Sequence, residues 1–303
     1  MNKLTAAERL LNSRRELIAG MSAPARPHQA AEGGCGVLGL ACNIPLAGRH
    51  IVPASQQMHN RGNGKGGGIA AAGLDPDQLG VTAEVLRSHY LLQVAYLDPA
   101  ARPEVEASHI LPCFDVAQGY PVPALDDYRQ VKGLEMRPPD VWRYFVRVKP
   151  DALERFAAAH GLEEMPFRAV EDEFVYQNSF RLNGRFYANS SAGQRAFVLS
   201  HGRDLLVLKI VGYAEQAAQY YQLQDLTAHV WIAHQRYPTK GRVWHPGGAH
   251  PFIGLNEALV HNGDFANYHA VAEYLRQRNI HPLFLTDTEV SALLFDLWDR
   301  TYG

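Results

Sequence analysis

One cysteine stands where a processed chain could begin. Cys35 follows a Gly-Gly pair and opens the apolar run Cys-Gly-Val-Leu-Gly-Leu-Ala-Cys. A lone cysteine in such a run is more often a packing residue than a nucleophile. Here, however, cleavage of the Gly34–Cys35 bond would expose an α-amino group with a pKa of about 8, which could act as base for the thiol. The position therefore favours covalent chemistry at Cys35.

Polar residues at three other places could serve such a nucleophile. Asn262-Gly263 alone is typical of a tight hairpin turn, but a side-chain amide and a backbone N–H could instead form an oxyanion hole. Arg236 ends an apolar run and can bind a carboxylate through two parallel hydrogen bonds. Asp287 is explained either as the first-turn acid of a helix or as the counter-charge of a substrate ammonium. Arg236 and Asp287 together would hold an α-amino acid by both charged ends.

Other patterns are discounted. The stretch 62–68 matches a dinucleotide fingerprint, but the predicted strand follows these glycines instead of preceding them. The histidines lack the helical spacing of a zinc enzyme, and the three cysteines lack zinc-ligand spacing. Cys42 and Cys113 are predicted to be core residues. The sequence therefore predicts no metal and no cofactor.

Periodicity predicts the elements that position these groups. Residues 3–20 have a helical pattern, and a small, polar, aperiodic stretch follows them up to Cys35. Thr286 is a candidate helix N-cap, with Glu289 as its capping-box partner. No motif assigns a role to residues 84–195. The remaining predictions are strands at 35–42, 69–74, 197–200, 205–211, 230–237 and 258–261, and helices at 52–59, 214–221 and 267–278.

Composition narrows the class of protein. The chain has 303 residues, of which 47% are hydrophobic, and its formal net charge is -2. This charge gives no reason to expect nucleic acid or an anionic membrane as a partner. The sequence contains no apolar run of about 20 residues that could span a bilayer, and its beginning lacks the apolar core of a secretion signal. A cytoplasmic location is expected.

The motifs, in their order along the chain, resemble those of class II (N-terminal nucleophile) glutamine amidotransferases. They are most similar to the glutaminase domain or subunit of archaeal-type glutamate synthases, in which the cysteine and arginine motifs also lie far apart. The resemblance covers roughly residues 35 to 303. The matching stretches are Cys35-Gly-Val-Leu-Gly-Leu, His59-Asn-Arg-Gly, Trp231-Ile-Ala-His-Gln-Arg-Tyr-Pro-Thr, Gly248-Ala-His-Pro-Phe, Val260-His-Asn-Gly-Asp and Thr286-Asp-Thr-Glu-Val.

This resemblance implies an α+β fold, a four-layer αββα sandwich of two antiparallel sheets between helices. It implies that residues 1–34 are a leader or propeptide and that 35–303 form the amidotransferase domain. Related domains continue beyond the position of Gly303 with further strands. We therefore expect the C-terminal strands of the sandwich to be missing from this sequence.

The resemblance also assigns roles to single residues. Cys35 would be the nucleophile, with its free amine as base. The Asn262 side chain and the Gly263 N–H would form the oxyanion hole. Arg236 would bind the α-carboxylate of glutamine, and Asp287 its α-ammonium.

Arg61, in the His-Asn-Arg-Gly motif, is expected near the same pocket. The resemblance further implies that the released ammonia passes to a synthase domain or subunit. Two alternatives stay open: an N-terminal-nucleophile amidohydrolase that acts on another amide, and a non-catalytic member of the family. The charged pair at Arg236 and Asp287 argues against the first, and the presence of every expected polar residue argues against the second.

Overall fold

A computed structural model describes residues 5–14, 17, 34–188, 193–237 and 245–302. Most of the predicted leader, and Pro238 and Thr239 of the arginine motif, lie outside the described residues. Within them, the α-helices are α1 Ala6–Ser13, α2 Ile51–Gln57, α3 Ala83–Ser88, α4 Arg102–Val105, α5 Pro150–His160, α6 Phe167–Asn183, α7 Ala214–Tyr220, α8 Tyr268–Arg276 and α9 Asp287–Leu297. The strands are β1 Gly36–Ala47, β2 Gly67–Leu74, β3 Tyr90–Tyr96, β4 Phe114–Pro121, β5 Asp140–Val148, β6 Ala196–Ser200, β7 Leu205–Ile210, β8 Thr227–Gln235, β9 Phe252–Ile253 and β10 Ala258–Leu259.

The first sheet brings distant motifs to one edge. Its strands lie in the order β1-β8-β2-β7, with antiparallel pairing between neighbours. Gly36 of β1 and Gly67 of β2 both lie opposite Gln235 of β8. This register places Cys35 and the glycine-rich stretch beside Arg236, the residue after β8. Each of these strands was predicted from an apolar run in the sequence.

The second sheet accounts for much of the interval that the sequence left without a role. Its order is β4-β5-β3-β6, again antiparallel. The predicted strands at 197–200 and 205–211 are both present, but they belong to different sheets. The turn between them carries the chain from the second sheet to the first, and the Asp204 carboxylate in this turn accepts a hydrogen bond from Leu74 N at 2.8 Å.

The two sheets share one hydrophobic core. Ile69 and Leu208 of the first sheet belong to the same buried cluster as Phe145 and Phe197 of the second. Helices α2 and α7 pack against the first sheet, and α6 covers the second sheet from its other side. The prediction of an α+β fold with two antiparallel sheets and flanking helices is confirmed.

The start of α9 is partly as predicted. Thr286 Oγ1 accepts a hydrogen bond from Glu289 N at 3.1 Å, which confirms the N-cap. The capping-box prediction for Glu289 is wrong. Its carboxylate instead accepts from the three preceding amides of Leu283, Phe284 and Leu285, at 2.6, 2.9 and 2.9 Å. The chain turns through a positive φ of 59° at Leu285, and these amides converge on the carboxylate.

Cys42 and Cys113 are half-buried; the prediction as a core residue is wrong for Cys42, whereas Cys113 packs against the core of the second sheet. Cys42 lies on β1, which is an edge strand of the first sheet. Cys113 precedes β4, which is an edge strand of the second. Of the helices formed by the described residues, none combines the length and the apolar character needed to cross a membrane.

Candidate functional site

Cys35 and Asn262 are in contact. The backbone N–H of Cys35 donates to Asn262 Oδ1 at 3.1 Å. The Cys35 sulfur accepts a hydrogen bond from Tyr237 N at 3.3 Å. Cys35 is half-buried, whereas Asn262 is exposed. The start of β1 and the Asn262 side chain therefore meet at an accessible edge of the first sheet.

The thiol lies in an uneven electrostatic field. Burial raises the pKa of Cys35, and the negative charges of Asp287 and Asp264 add to this rise. The hydrogen bond from Tyr237 and the charge of Arg236 act in the opposite direction. Because the pKa is raised on balance, the thiol is mostly protonated at neutral pH and needs a base to become a nucleophile.

Two hydrogen bonds hold the backbone of Arg236. Arg236 N donates to Gly66 O at 2.8 Å, and Asn63 N donates to Arg236 O at 3.2 Å. A Cβ atom on Gly66 would lie 3.0 Å from Arg236 Cδ, so a glycine allows this close approach. The glycine-rich stretch discounted as a nucleotide motif thus packs against Arg236.

A buried carboxylate ties the His-Asn-Arg-Gly motif to the same edge. His59 Nδ1 lies 2.7 Å from Glu215 Oε1, and the Gln235 side-chain amide donates to Glu215 Oε2 at 2.5 Å. The His59 ring also stacks on Tyr213 with a centroid distance of 3.6 Å. Glu215 is 4% exposed. Its role was missed because nothing in the sequence near Ala214 suggests a partner in either motif.

Asp287 lies at the first position of α9, beside the segment that contains Asn262. Its carboxylate accepts from Thr288 N at 2.8 Å and from Phe265 N at 3.3 Å. Its Oδ2 atom lies 3.7 Å from His261 Nδ1. The helix start thus holds the acid against the Asn-Gly segment.

Two buried histidines pack against the segment that contains Asn262. The rings of His234 and His250 stack with centroids 3.8 Å apart and an interplanar angle of 10°. His234 Nε2 donates to the carbonyl of His261 at 3.1 Å, and Thr288 Oγ1 lies 3.2 Å from His250 Nε2. Burial lowers the pKa of His234 to about 3, so this ring is neutral at physiological pH. Sequence reasoning considered these histidines only as metal ligands and missed their structural role.

Arg61 and Gly263 complete the set of predicted residues. A Cβ atom on Gly34 would lie 2.6 Å from Arg61 Nη2, and one on Gly36 would lie 3.2 Å from Arg61 Cβ. Arg61 is exposed and lies against the residues on either side of Cys35. Gly263 is exposed next to Asn262. The arrangement could present a sulfur nucleophile to a small molecule that carries one positive and one negative group.

Comparison with known proteins gives one long match and several short ones. The chain is 30% identical over 284 residues, 92% of its length, to an uncharacterized protein of Archaeoglobus fulgidus. It is also 35% identical over 72 residues, 24% of its length, to the glutamine–fructose-6-phosphate aminotransferase of Campylobacter jejuni. The corresponding aminotransferase of Chlamydia muridarum is 36% identical over 125 residues, 40% of the chain. No protein-family model matches the sequence.

The matches cover only part of these relatives. The chain spans 65% of the Archaeoglobus protein, 12% of the Campylobacter aminotransferase and 19% of the Chlamydia aminotransferase. The likeness to the aminotransferases is thus limited to a fraction of each molecule. The chain is therefore similar to only a short part of these glutamine–fructose-6-phosphate aminotransferases.

Proposed function

We propose that this protein is a class II glutamine amidotransferase, in which Cys35 takes ammonia from the side-chain amide of L-glutamine. One observation carries the proposal: Cys35 N lies 3.1 Å from Asn262 Oδ1, although 227 positions separate them. This bond is donated by the Cys35 backbone and holds the start of β1 against the Asn262-Gly263 segment, which supports a shared site for the nucleophile and the oxyanion donors. The partial similarity to glutamine–fructose-6-phosphate aminotransferases supports glutamine as the substrate.

Cleavage of the bond between Gly34 and Cys35 is part of the proposal. While the Gly34–Cys35 peptide bond is intact, the nitrogen of Cys35 is an amide, whose lone pair is delocalised and cannot accept a proton. Cleavage converts it into an amine with a pKa of about 8. This amine supplies the base that the thiol requires, because burial raises the pKa of Cys35.

Substrate binding uses the two charged groups. Arg236 binds the α-carboxylate of glutamine, and Asp287 binds the α-ammonium. Both groups interact electrostatically with the Cys35 thiol, which supports a common pocket. Because Arg236 is 5% exposed, its interaction with a carboxylate is only weakly screened by water. Arg61, which lies against the neighbours of Cys35, borders the same pocket in this proposal.

The chemistry proceeds through a thioester. The free amine takes the thiol proton, and the sulfur attacks the amide carbon of glutamine. Negative charge develops on the amide oxygen, where Asn262 Nδ2 and Gly263 N–H donate to it. The ammonium of Cys35 then returns its proton to the departing nitrogen, the C–N bond breaks and ammonia leaves. Water hydrolyses the thioester, which releases glutamate and restores the thiol.

An amidotransferase passes its ammonia to a second reaction, so the proposal includes a protein that accepts ammonia. We infer a synthase domain or a partner subunit in the cytoplasm, of the glutamate synthase type. The motif order and the long interval between Cys35 and Arg236 support this branch. An assay that couples glutamine hydrolysis to amination of 2-oxoglutarate in the presence of candidate partner subunits tests this assignment.

The first experiment is an intact-mass measurement with and without a diazoketone analogue of glutamine. We expect a chain that begins at Cys35 and gains one adduct on that residue. The asparagine analogue, which is one methylene shorter, is the matched control and should label the protein far more slowly. A chain cleaved at Cys35 that takes no adduct, or one labelled equally by both reagents, contradicts the proposal.

A further inference from the structure

The predicted leader contains a folded and buried element. Helix α1 begins with a capping box, in which Thr5 N donates to Glu8 Oε2 at 2.8 Å and Glu8 N donates to Thr5 Oγ1 at 3.2 Å. On its inner side Leu10 is 3% exposed, and Arg14, just after the helix, is fully buried. A segment that is only discarded does not need such burial.

Arg14 enters a cluster of four buried charges. Its Nε and Nη2 atoms donate to the two oxygens of Glu173 at 2.8 and 2.9 Å. Arg300 donates to the same carboxylate at 3.1 Å and to Asp296 at 2.7 and 2.8 Å. The two guanidinium groups lie 4.8 and 4.7 Å from the ring centroid of Tyr176. We call Arg14, Glu173, Asp296 and Arg300 the leader cluster.

Charge balance in the leader cluster depends on Arg14. With it, two guanidinium groups face two carboxylates, and the formal charge is zero. Without it, one guanidinium faces two carboxylates, and a net negative charge is left where Glu173 and Asp296 are fully buried. An uncompensated buried charge is strongly destabilising, whereas a paired one is tolerated. The domain itself therefore favours retention of the leader.

Hydrogen bonds outside the charged groups add to the docking. The Gln177 side-chain amide donates to Ser13 Oγ at 2.8 Å, and Ser13 Oγ donates to Leu10 O at 2.8 Å. Asn279 Nδ2 donates to Leu11 O at 2.7 Å. The leader thus contacts α6, the turn after α8 and the π-helical turn Trp298–Tyr302 that follows α9. These elements are far apart in sequence and come together around it.

We propose that the leader, through its described residues 5–14 and 17, stays bound to the domain after the Gly34–Cys35 bond is cut, so that the mature protein is a non-covalent complex of two chains. The cleavage at Cys35 rests on the proposed function, but the binding surface does not. The leader is then a permanent subunit whose arginine neutralises the buried carboxylates of the domain, and its removal is not required for the thiol to be exposed.

A cut made independently of the enzyme's own chemistry tests this proposal. A recognition sequence for a specific protease is inserted between residues 18 and 33, and the cut protein is passed over a size-exclusion column in native buffer. Intact mass should find the leader fragment and the domain in the same peak. Separation of the two fragments from the otherwise wild-type protein overturns the proposal, whether or not glutamine is turned over.

Matched arginine variants locate the contact that retains the fragment. Arg14→Met should speed dissociation of the cut leader by about 10²-fold or more, because it leaves the buried carboxylates short of a partner. Arg9→Met is the control, since Arg9 pairs at 3.2 Å with Glu164, a side chain that is 73% exposed. It should change the rate by no more than about fivefold. Equal rates for the two variants contradict the assignment.

A milder variant covers the case in which Arg14→Met fails to fold. Asn279→Gly introduces a residue that also tolerates the positive φ of 59° at this position. It removes only the side-chain hydrogen bond to Leu11 O. It should speed dissociation by roughly fivefold, the usual effect of one hydrogen bond. An unchanged rate contradicts the docking geometry. Retention of the leader in protein whose second chain begins at Cys35, together with no labelling of Cys35, leaves this proposal standing and refutes the proposed function.

Discussion

The candidate site and the leader cluster use polar groups in opposite ways. In the leader cluster no charged side chain is more than 7% exposed, and each carboxylate accepts two guanidinium hydrogen bonds or more at 3.1 Å or less. At the candidate site Cys35 is half-buried, Asn262 is exposed, and the contact between Asp287 and His261 is 3.7 Å long.

This difference separates two uses of polarity. Where buried charges pair with one another, removal of any one of them strongly destabilises the native state. Groups that converge without fully satisfying one another are available to a ligand and add little to stability. Substitutions in the first region should therefore change the free energy of unfolding, and substitutions in the second should change turnover.

The largest effect is expected at the sulfur. Cys35→Ala should reduce ammonia release from glutamine by on the order of 10⁴-fold or more, because no other group can form the thioester. Its free energy of unfolding should stay within about 0.5 kcal/mol of the wild type. Cys42→Ala, at the other end of the same apolar run, is the matched control and should keep its activity. Turnover in Cys35→Ala at the control rate refutes the mechanism.

The second effect belongs to the leader cluster. Glu173→Gln removes the carboxylate that two arginines share and should cost about 3–5 kcal/mol in the free energy of unfolding, measured with urea. Glu164→Gln changes the residue that pairs with Arg9. Because the Glu164 side chain is 73% exposed, this variant should lower the free energy of unfolding by under about 1 kcal/mol. The folded fraction of either variant should keep its glutaminase activity. Similar stabilities for both variants would remove the contrast between the two regions.

The third effect returns to the site. Asn262→Ala should lower kcat by about 10²–10³-fold, which corresponds to roughly 3–4 kcal/mol in the activation barrier, through loss of an oxyanion donor. Asn256→Ala, which removes the acceptor of Arg203 N at 3.2 Å, is a control expected to affect stability more than kcat. A loss confined to KM for Asn262→Ala would indicate a role in binding instead.

The smallest expected effect is a pH dependence of stability that arises from the buried His234 next to the candidate site. The folded pKa of His234 is about 3 because burial opposes its charge, whereas an unfolded imidazole titrates near 6.5. Stability from the neutral ring is complete above the unfolded pKa and is lost as pH falls below it. Between pH of about 7 and about 5 the wild type should lose roughly 2 kcal/mol more than His234→Gln, which keeps a donor for His261 O. Parallel urea titrations of both proteins would show this difference, and equal losses contradict it.

Local patterns were enough to predict part of this structure. The strands that carry the motifs, β1, β2, β7 and β8, follow apolar runs, and the N-cap at Thr286 follows from residue types three positions apart. Asn262 was chosen as an oxyanion donor, and Arg236 and Asp287 because together they match the charged ends of an α-amino acid; these roles stay predictions. In each case the sequence signal lies within a few residues of the feature that it predicts.

Features that depend on long-range pairing could not be predicted in this way. Nothing near residue 200 indicates that β6 and β7 enter different sheets. The carboxylate of Glu289 was assigned to the wrong amide, because the turn at Leu285 redirects the chain. Arg14 shows only a helical pattern, and its partner Glu173 lies 159 positions away. A single sequence does not indicate which residues so far apart along the chain will be in contact.

The docked helix α1 also changes how the mature protein responds to dilution. In an uncut chain the leader is held near its surface by the covalent link, so its binding does not depend on protein concentration. After the cut, association follows mass action, and the apparent melting temperature acquires a dependence on the concentration of the complex. At low protein concentration during storage, assay or purification, more of the leader would dissociate. The stability of the enzyme would then depend on protein concentration as well as on the fold.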